Sequence, residues 1–114
     1  MGDEEKPLPM EWSAVSRSGA IVVRTTEQGL PIGLVVEAAE LRRNPAELAA
    51  EIVRLCKRSA DRAGLARRAQ LAAAGLAPEM LALTGLPTEE EVARREQAEE
   101  EEFDTEPRSW LRPI

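Results

Sequence analysis

The chain contains no histidine, no tyrosine, a single cysteine and only 3% aromatic residues among its 114 positions. The absence of histidine removes the commonest general base and transition-metal ligand, together with every Ser–His or Cys–His nucleophile pair. The lone cysteine, Cys56, excludes a disulfide within the chain and favours a reducing compartment. We therefore expect a cytoplasmic, non-enzymatic protein with no catalytic residues, no cofactor, no metal site and no small-molecule substrate.

Long apolar runs are also missing. No stretch of about 18 apolar residues occurs, so we expect no membrane span. The first ten residues, which are mostly charged or proline, do not form the apolar segment of a secretion signal. With so few aromatics, the core must consist of Leu, Ile, Val and Ala. A core this thin in a short chain often gains stability by oligomerisation, and we expect a homodimer.

Charge is distributed unevenly along the sequence. Residues 11–75 carry seven acids and ten bases, whereas residues 76–114 carry eleven acids and four bases. The net charge of −6 therefore combines a mildly basic central region with a strongly acidic end. Net charge alone gives a misleading indication of the partners of such a chain.

Alternating apolar residues predict three strands after a disordered segment at residues 1–9. The strands cover Met10–Ser16, Ala20–Thr26 and Leu30–Val36, and the turns between them contain glycine. Alternate residues of each strand share one face. These sets are Met10, Trp12 and Ala14 in the first strand, Ile21, Val23 and Thr25 in the second, and Ile32, Leu34 and Val36 in the third. The short connections favour an antiparallel meander.

A long helix follows the strands. Asn44 suits the N-cap, Pro45 the first turn, and Glu47 the third position of a capping-box-like start. The helix is expected from Ala46 to about Ala74, with Gly64 as a soft point at which it can bend. Its apolar stripe consists of Leu48, Ala49, Ile52, Leu55, Cys56, Ala60 and Ala63.

The remaining residues predict weaker helices. Residues 78–83 favour a short helical turn, and Thr88 with Glu91 forms a second capping box that starts a polar helix to about residue 102. This polar helix has little to bury. The predicted fold is α+β: a three-stranded antiparallel meander packed on one long α-helix, followed by a short acidic C-terminal helix and tail. One helix leaves an apolar face of a three-stranded sheet uncovered, which is a further reason to expect a homodimer. The predicted divisions are a disordered N-terminus (1–9), an α+β domain (10–75) and a helical acidic tail (76–114).

Two charged groups are candidates for binding. Basic residues of the strands and long helix can contact phosphates, although they also fit a solvated helix face. The candidates are Arg17, Arg24, Arg42, Arg43, Arg54, Lys57, Arg58 and Arg62. The acidic run at residues 99–102 either mimics nucleic acid for a partner or simply solvates a helix end.

Apolar residues in polar surroundings are candidates for protein contacts. Trp110 and Leu111 stand in a polar tail, where they either dock on a protein surface or belong to a disordered segment. Trp12 fits a core or interface position of the first strand. Cys56 lies on the apolar stripe and fits a packed, unreactive thiol.

The strand, hairpin and helix segments from residue 12 to about residue 72 resemble the YbaB/EbfC-like family. The likeness lies in Gly19–Arg24, the turn at Gly29, the strand 32–36, and the helix pattern Leu48-x3-Ile52-x3-Cys56-x3-Ala60. This resemblance implies a homodimer, and DNA binding by a nucleoid-associated protein as one possible activity of the basic residues.

The segment Gly85-Leu86-Pro87-Thr88-Glu89-Glu90-Glu91, its Ala/Glu-rich helix and Phe103 resemble the C-terminal part of actinobacterial proteins encoded with type VII (ESX) secretion systems. That resemblance implies a YbaB-like accessory factor or chaperone that binds a secretion component. The sequence therefore predicts a cytoplasmic, dimeric protein that acts through protein–protein contacts, with nucleoid-associated DNA binding as the alternative.

Overall fold

The computed structural model describes residues 8–111, including the side chains of residues 8–101. Three strands come first: β1 (Trp12–Val15), β2 (Ile21–Thr25) and β3 (Pro31–Val36). A short 3-10 helix (Ala38–Arg42) leads into three α-helices, which are α1 (Pro45–Ala73), α2 (Pro78–Leu83) and α3 (Glu89–Leu111). Most of the segment predicted to be disordered, 1–9, lies outside the described residues.

The strands form one antiparallel sheet in the order β1-β2-β3, as the alternation predicts. Val23 in the central strand pairs with Ala14 of β1 on one side and with Leu34 of β3 on the other. Gly29 turns β2 into β3 with a φ of 90°, and a Cβ atom there would lie 3.0 Å from the Cβ of Ala60. The turn therefore lies directly on α1, where a side chain would not fit.

The core lies between α1 and the first two strands. Ile21, Val23 and Thr25, which alternation places together on one face of β2, are fully buried. Leu55 and Ala63 of α1 are buried, while Leu48, Ile52 and Cys56 pack at the edge of the core as partly buried residues. Ala49, predicted for the stripe, is exposed, and Ser59 is buried instead.

The positions of β3 on the helix side of the sheet are much less buried than those of β2. Ile32 and Leu34 lie on the helix side of the sheet but remain 45% and 51% exposed. The reason is the placement of α1, which lies over β1 and β2 and leaves β3 largely uncovered. Met10, predicted as the first residue of a strand, precedes β1 and is exposed.

Side-chain caps fix the starts of both long helices. The Asn44 side chain accepts hydrogen bonds from the amides of Ala46 and Glu47, at 2.8 and 3.3 Å, which confirms its predicted N-cap role. At α3 the predicted capping box forms completely, because the amides of Thr88 and Glu91 each donate to the other residue's side chain. The bond from the Thr88 amide lowers the pKa of Glu91.

The C-terminal helices pack against α1, and this contact contains a buried apolar group. Val92 of α3 is 5% exposed and Leu81 of α2 is 7% exposed, so α3 buries more than its polar sequence predicts. Gly64 is buried in an unbroken α1, where a Cβ atom would lie 2.6 Å from Cδ of Pro87. The glycine therefore permits close packing of the loop before α3. Helix α3 ends at Leu111, beyond the predicted end near residue 102.

Candidate interaction surfaces

Four exposed apolar residues lie along the β3 edge of the sheet, and we call them the β3 surface: Leu30, Ile32, Leu34 and Val35. Leu30 and Val35 are each 64% exposed. Val35 lies on the outer face of the sheet, beside Val22 of the neighbouring strand, while Leu34 lies on the helix side. Both faces of this edge strand are therefore apolar and open.

The backbone of β3 is also open on its outer edge. The Glu37 amide donates to the carbonyl of Ala20 at 2.9 Å, which continues the β2–β3 ladder. In an antiparallel ladder, bonded residues alternate, so Gly33 and Val35 direct their polar groups towards β2. Leu34 and Val36 consequently direct their amides and carbonyls away from the sheet.

An ion pair holds the β2–β3 turn against α1. Both guanidinium contacts from Arg67 to the Glu27 carboxylate measure 2.8 Å. The hydrogen bond from Arg67 is the largest cause of a lowered pKa of Glu27. The turn is thus fixed from two sides, by this pair and by the close approach of Gly29, and β3 has a defined position on the fold.

The second surface is a cleft of about 420 Å³ between α1, α3 and the end of β1. We call this cavity the arginine cleft, because its lining includes four arginines: Arg17, Arg54, Arg58 and Arg62. Four of the eight predicted phosphate-binding residues are therefore brought together. The cleft also has acidic lining residues, Glu51, Glu96, Glu99 and Glu100, so the two signs of charge face each other across it.

Ion pairs connect α3 to this face of α1. Arg58 lies 3.1 Å from Glu99, and Arg62 lies 3.7 Å from Glu96. A third pair has the basic residue on α3 and the acidic residue on α1: Arg95 donates to Asp61 at 2.7 Å. This hydrogen bond raises the pKa of Arg95. Residues later in α3 pair with residues earlier in α1, so α3 runs antiparallel to α1.

The other predicted basic residues lie elsewhere. Arg24 projects from the sheet, where it pairs with Glu11 at 2.9 Å and covers Gly33. Arg43 bonds Glu51 at 2.6 Å and Glu40 at 2.7 Å, and the bond to Glu51 is the main cause of its raised pKa. Arg42 and Lys57 are exposed and do not line the cleft.

Of the predicted partner-binding residues, only Trp12 has a described side chain. It is partly buried at the start of β1, opposite Thr25, and its indole nitrogen is buried without a hydrogen-bond partner among the described residues. The side chains of Trp110 and Leu111 lie outside the described part of the chain. Their role as contact residues stays a prediction.

Two further chemical features concern Cys56 and metal ions. Burial raises the pKa of the Cys56 thiol, so this side chain is a weaker nucleophile at neutral pH than a free cysteine. Among the side chains that the structure describes, no three cysteine or acidic residues converge on a point where they could hold a metal ion.

Sequence reasoning missed two parts of these surfaces. It left open whether the acidic tail docks on the basic helix, and it did not identify Glu96 and Glu99 as the residues that pair with α1. The available signal was the spacing of the charges on each helix. Glu96 and Glu99 are three residues apart and share one side of α3, and the arginines that they pair with are four residues apart and share one side of α1. The uncovered apolar face of the sheet was expected, but its location at β3 was not, since the path of α1 across the sheet is not visible in the alternation.

Comparison of the chain with protein-family models, with curated proteins and with solved structures finds no match. Within the described residues, no helix is long and apolar enough to cross a membrane.

Proposed function

We propose that this chain is a non-enzymatic protein that forms a homodimer and acts by binding other protein chains. The observation that carries the proposal is the uncovered β3 surface, whose apolar side chains are exposed on both faces of the strand. Exposed apolar patches on natural proteins commonly mark sites of protein association. The thin aliphatic core provides a second reason, because association adds apolar burial that this small chain lacks.

The edge of β3 is suited to a second copy of the same strand. Natural edge strands usually carry charges, prolines or bulges that prevent pairing with other chains. Here the part from Gly33 to Val36 has none of these, and the register irregularity lies further back, near Pro31. An antiparallel pair of β3 strands about a two-fold axis would place Leu34 beside its counterpart and Ile32 opposite Val36. No charged residue within the strand opposes another.

The dimer is tested by light scattering coupled to size exclusion at tens of micromolar. The expected mass is twice the 12.5 kDa of the chain. The variant Leu34→Glu places a charge in the centre of the proposed pair and should give the monomer mass. Leu83→Glu is the matched control, because Leu83 is 78% exposed on α2, away from β3. A wild-type mass of one chain under these conditions would contradict the proposal.

The cellular role that we propose is that of a cytoplasmic accessory factor or chaperone in type VII secretion. This part is supported by the resemblance of residues 85–103 and of the strand–helix segment, together with the acidic tail. Affinity capture from the native host, with wild-type and Trp110→Ala/Leu111→Ala baits, tests it. We expect a secretion component to be captured in stoichiometric amount by the wild-type bait and reduced by the double variant. No such component with either bait would contradict the role.

A second candidate function, nucleoid-associated DNA binding, is supported by the convergence of four arginines in one cleft. Contacts with about four phosphates would give a slope of about −3.6 in a plot of log affinity against log salt. Binding of a DNA duplex measured at several salt concentrations tests this candidate. Absence of binding at low salt by the full chain and by the variants described below would exclude it.

A further inference from the structure

Helix α3 lies along the same arginines that are candidates for phosphate contacts. Glu99 and Glu96 pair with Arg58 and Arg62, and Glu100 lines the cleft with Arg54. Carboxylate oxygens of α3 therefore occupy positions beside guanidinium groups that phosphate oxygens would otherwise take. The occupant of this basic face is a segment of the chain itself.

The contact between α3 and α1 has two parts with different chemistry. At the start of α3 the contact is apolar: Val92 is buried, and Pro87 lies against Gly64. The side chain of Arg68 also donates to the carbonyl of Leu86 at 3.0 Å. None of these contacts involves an acidic side chain of α3, and they hold the start of α3 at a fixed place on α1.

Further along α3, ion pairs connect this helix to α1, and the open cleft lies beside them. The pairs of Arg62 with Glu96 and of Arg95 with Asp61 involve arginines more than half exposed. Ion pairs of this kind are individually weak, and salt screens them within a Debye length of about 10 Å. A ligand with a high density of negative charge can therefore compete with these carboxylates for the arginines.

We propose that α3 is an internal competitor for the arginine cleft, so that a nucleic-acid duplex binds there only when the acidic part of α3, residues 93–101, moves away from α1. The start of α3 stays in place through Val92 and Pro87, and the ion pairs beyond it open. This inference rests on the second candidate function, DNA binding, and is independent of the proposed dimer through β3.

The test uses the full chain with two charge-matched pairs of substitutions. Glu96→Gln/Glu99→Gln removes the two carboxylates that pair with Arg62 and Arg58. Glu79→Gln/Glu89→Gln is the control, because it removes the same charge from two exposed positions that line no part of the cleft. Both variants keep the apolar contacts at the start of α3.

Two readouts are measured on each protein. Fluorescence anisotropy with a labelled duplex of about 20 base pairs, at about 50 and 200 mM salt, gives the affinity. Amide hydrogen exchange of residues 93–101 reports whether α3 opens. For loss of the exposed Arg62–Glu96 pair and the partly buried Arg58–Glu99 pair, we expect the test variant to bind DNA about 2- to 30-fold more tightly than the control variant. We also expect its 93–101 amides to exchange faster.

Three results would overturn the proposal. Equal affinities of the two variants would mean that α3 does not compete for the arginines, while DNA binding itself would stand. Tighter binding without faster exchange of residues 93–101 would mean that α3 does not move. Absence of DNA binding by every variant at low salt would refute both the proposal and the second candidate function, and would leave the dimer through β3 untouched.

Discussion

Substitution of Gly64 by alanine tests the packing of the C-terminal helices on α1. Alanine in place of glycine in a helix interior is favourable by about 0.8–1 kcal/mol when nothing obstructs it. Here the added Cβ would lie 2.6 Å from Cδ and 2.9 Å from Cγ of Pro87, well inside the optimum of about 3.5–4.0 Å between carbon atoms. Such overpacking typically costs about 1–3 kcal/mol. The net expectation is a change between about zero and 2 kcal/mol of destabilisation.

A double-mutant cycle with Pro87→Ala isolates this contact. Alanine at position 87 lacks the Cγ and Cδ atoms that meet the new Cβ, so Gly64→Ala should become stabilising by about 1 kcal/mol in that background. The free energy of unfolding is measured by urea denaturation followed by far-ultraviolet circular dichroism. Hydrogen exchange of the Leu81 and Val92 amides shows whether the C-terminal helices have detached. An equal stabilisation in both backgrounds would refute the close contact of Pro87 with α1.

The remaining predictions concern the core and the β2–β3 turn. Leu55→Ala removes a side chain that is 3% exposed between α1 and the sheet, and should lower the free energy of unfolding by about 2–5 kcal/mol in urea denaturation; a loss below about 1 kcal/mol would contradict the described core. Because Arg67 lowers the pKa of Glu27 from 4.5, their pair stabilises the fold above about pH 4.5, and this contribution is lost as the pH falls through the lowered value. Glu27→Gln should therefore show a smaller fall in stability below pH 4.5, and an unchanged pH profile would contradict the pair.

Local signals in the sequence predict the elements of this fold well. The alternation in β2 groups the three residues that share its buried face, and the side chains of Asn44 and Thr88 identify where two helices start. These signals depend on residues that are near one another in the chain. Periodicity and capping are properties of one element, so one sequence is enough to detect them.

The placement of the elements relative to one another was less predictable. Alternation places Leu34 on one face of β3 with Ile32 and Val36, but it does not tell which face α1 covers or how far α1 extends over β3. Gly64 predicts a weak point in α1, whereas its role is to admit Pro87, a residue distant in the sequence. Such contacts depend on the angle between elements, which local patterns do not encode.

The candidate sites divide in the same way. The four-residue spacing of Arg54, Arg58 and Arg62 correctly places them on one face, as helix geometry requires. The covering of that face by Glu96 and Glu99 depends on the turn between α2 and α3 and on the burial of Val92. The sequence therefore predicts a basic surface, and the structure adds that an acidic helix of the same chain lies on it.

Hydrogen exchange at the open edge of β3 tests the central claim most directly. Val35 is bonded to β2 within one chain, whereas the amides of Leu34 and Val36 point away from the sheet. If two copies pair through β3, the Leu34 and Val36 amides should be protected at high protein concentration and lose protection on dilution and in Leu34→Glu. The Val35 amide should stay protected throughout. Rapid exchange of Leu34 and Val36 at every concentration would contradict the account.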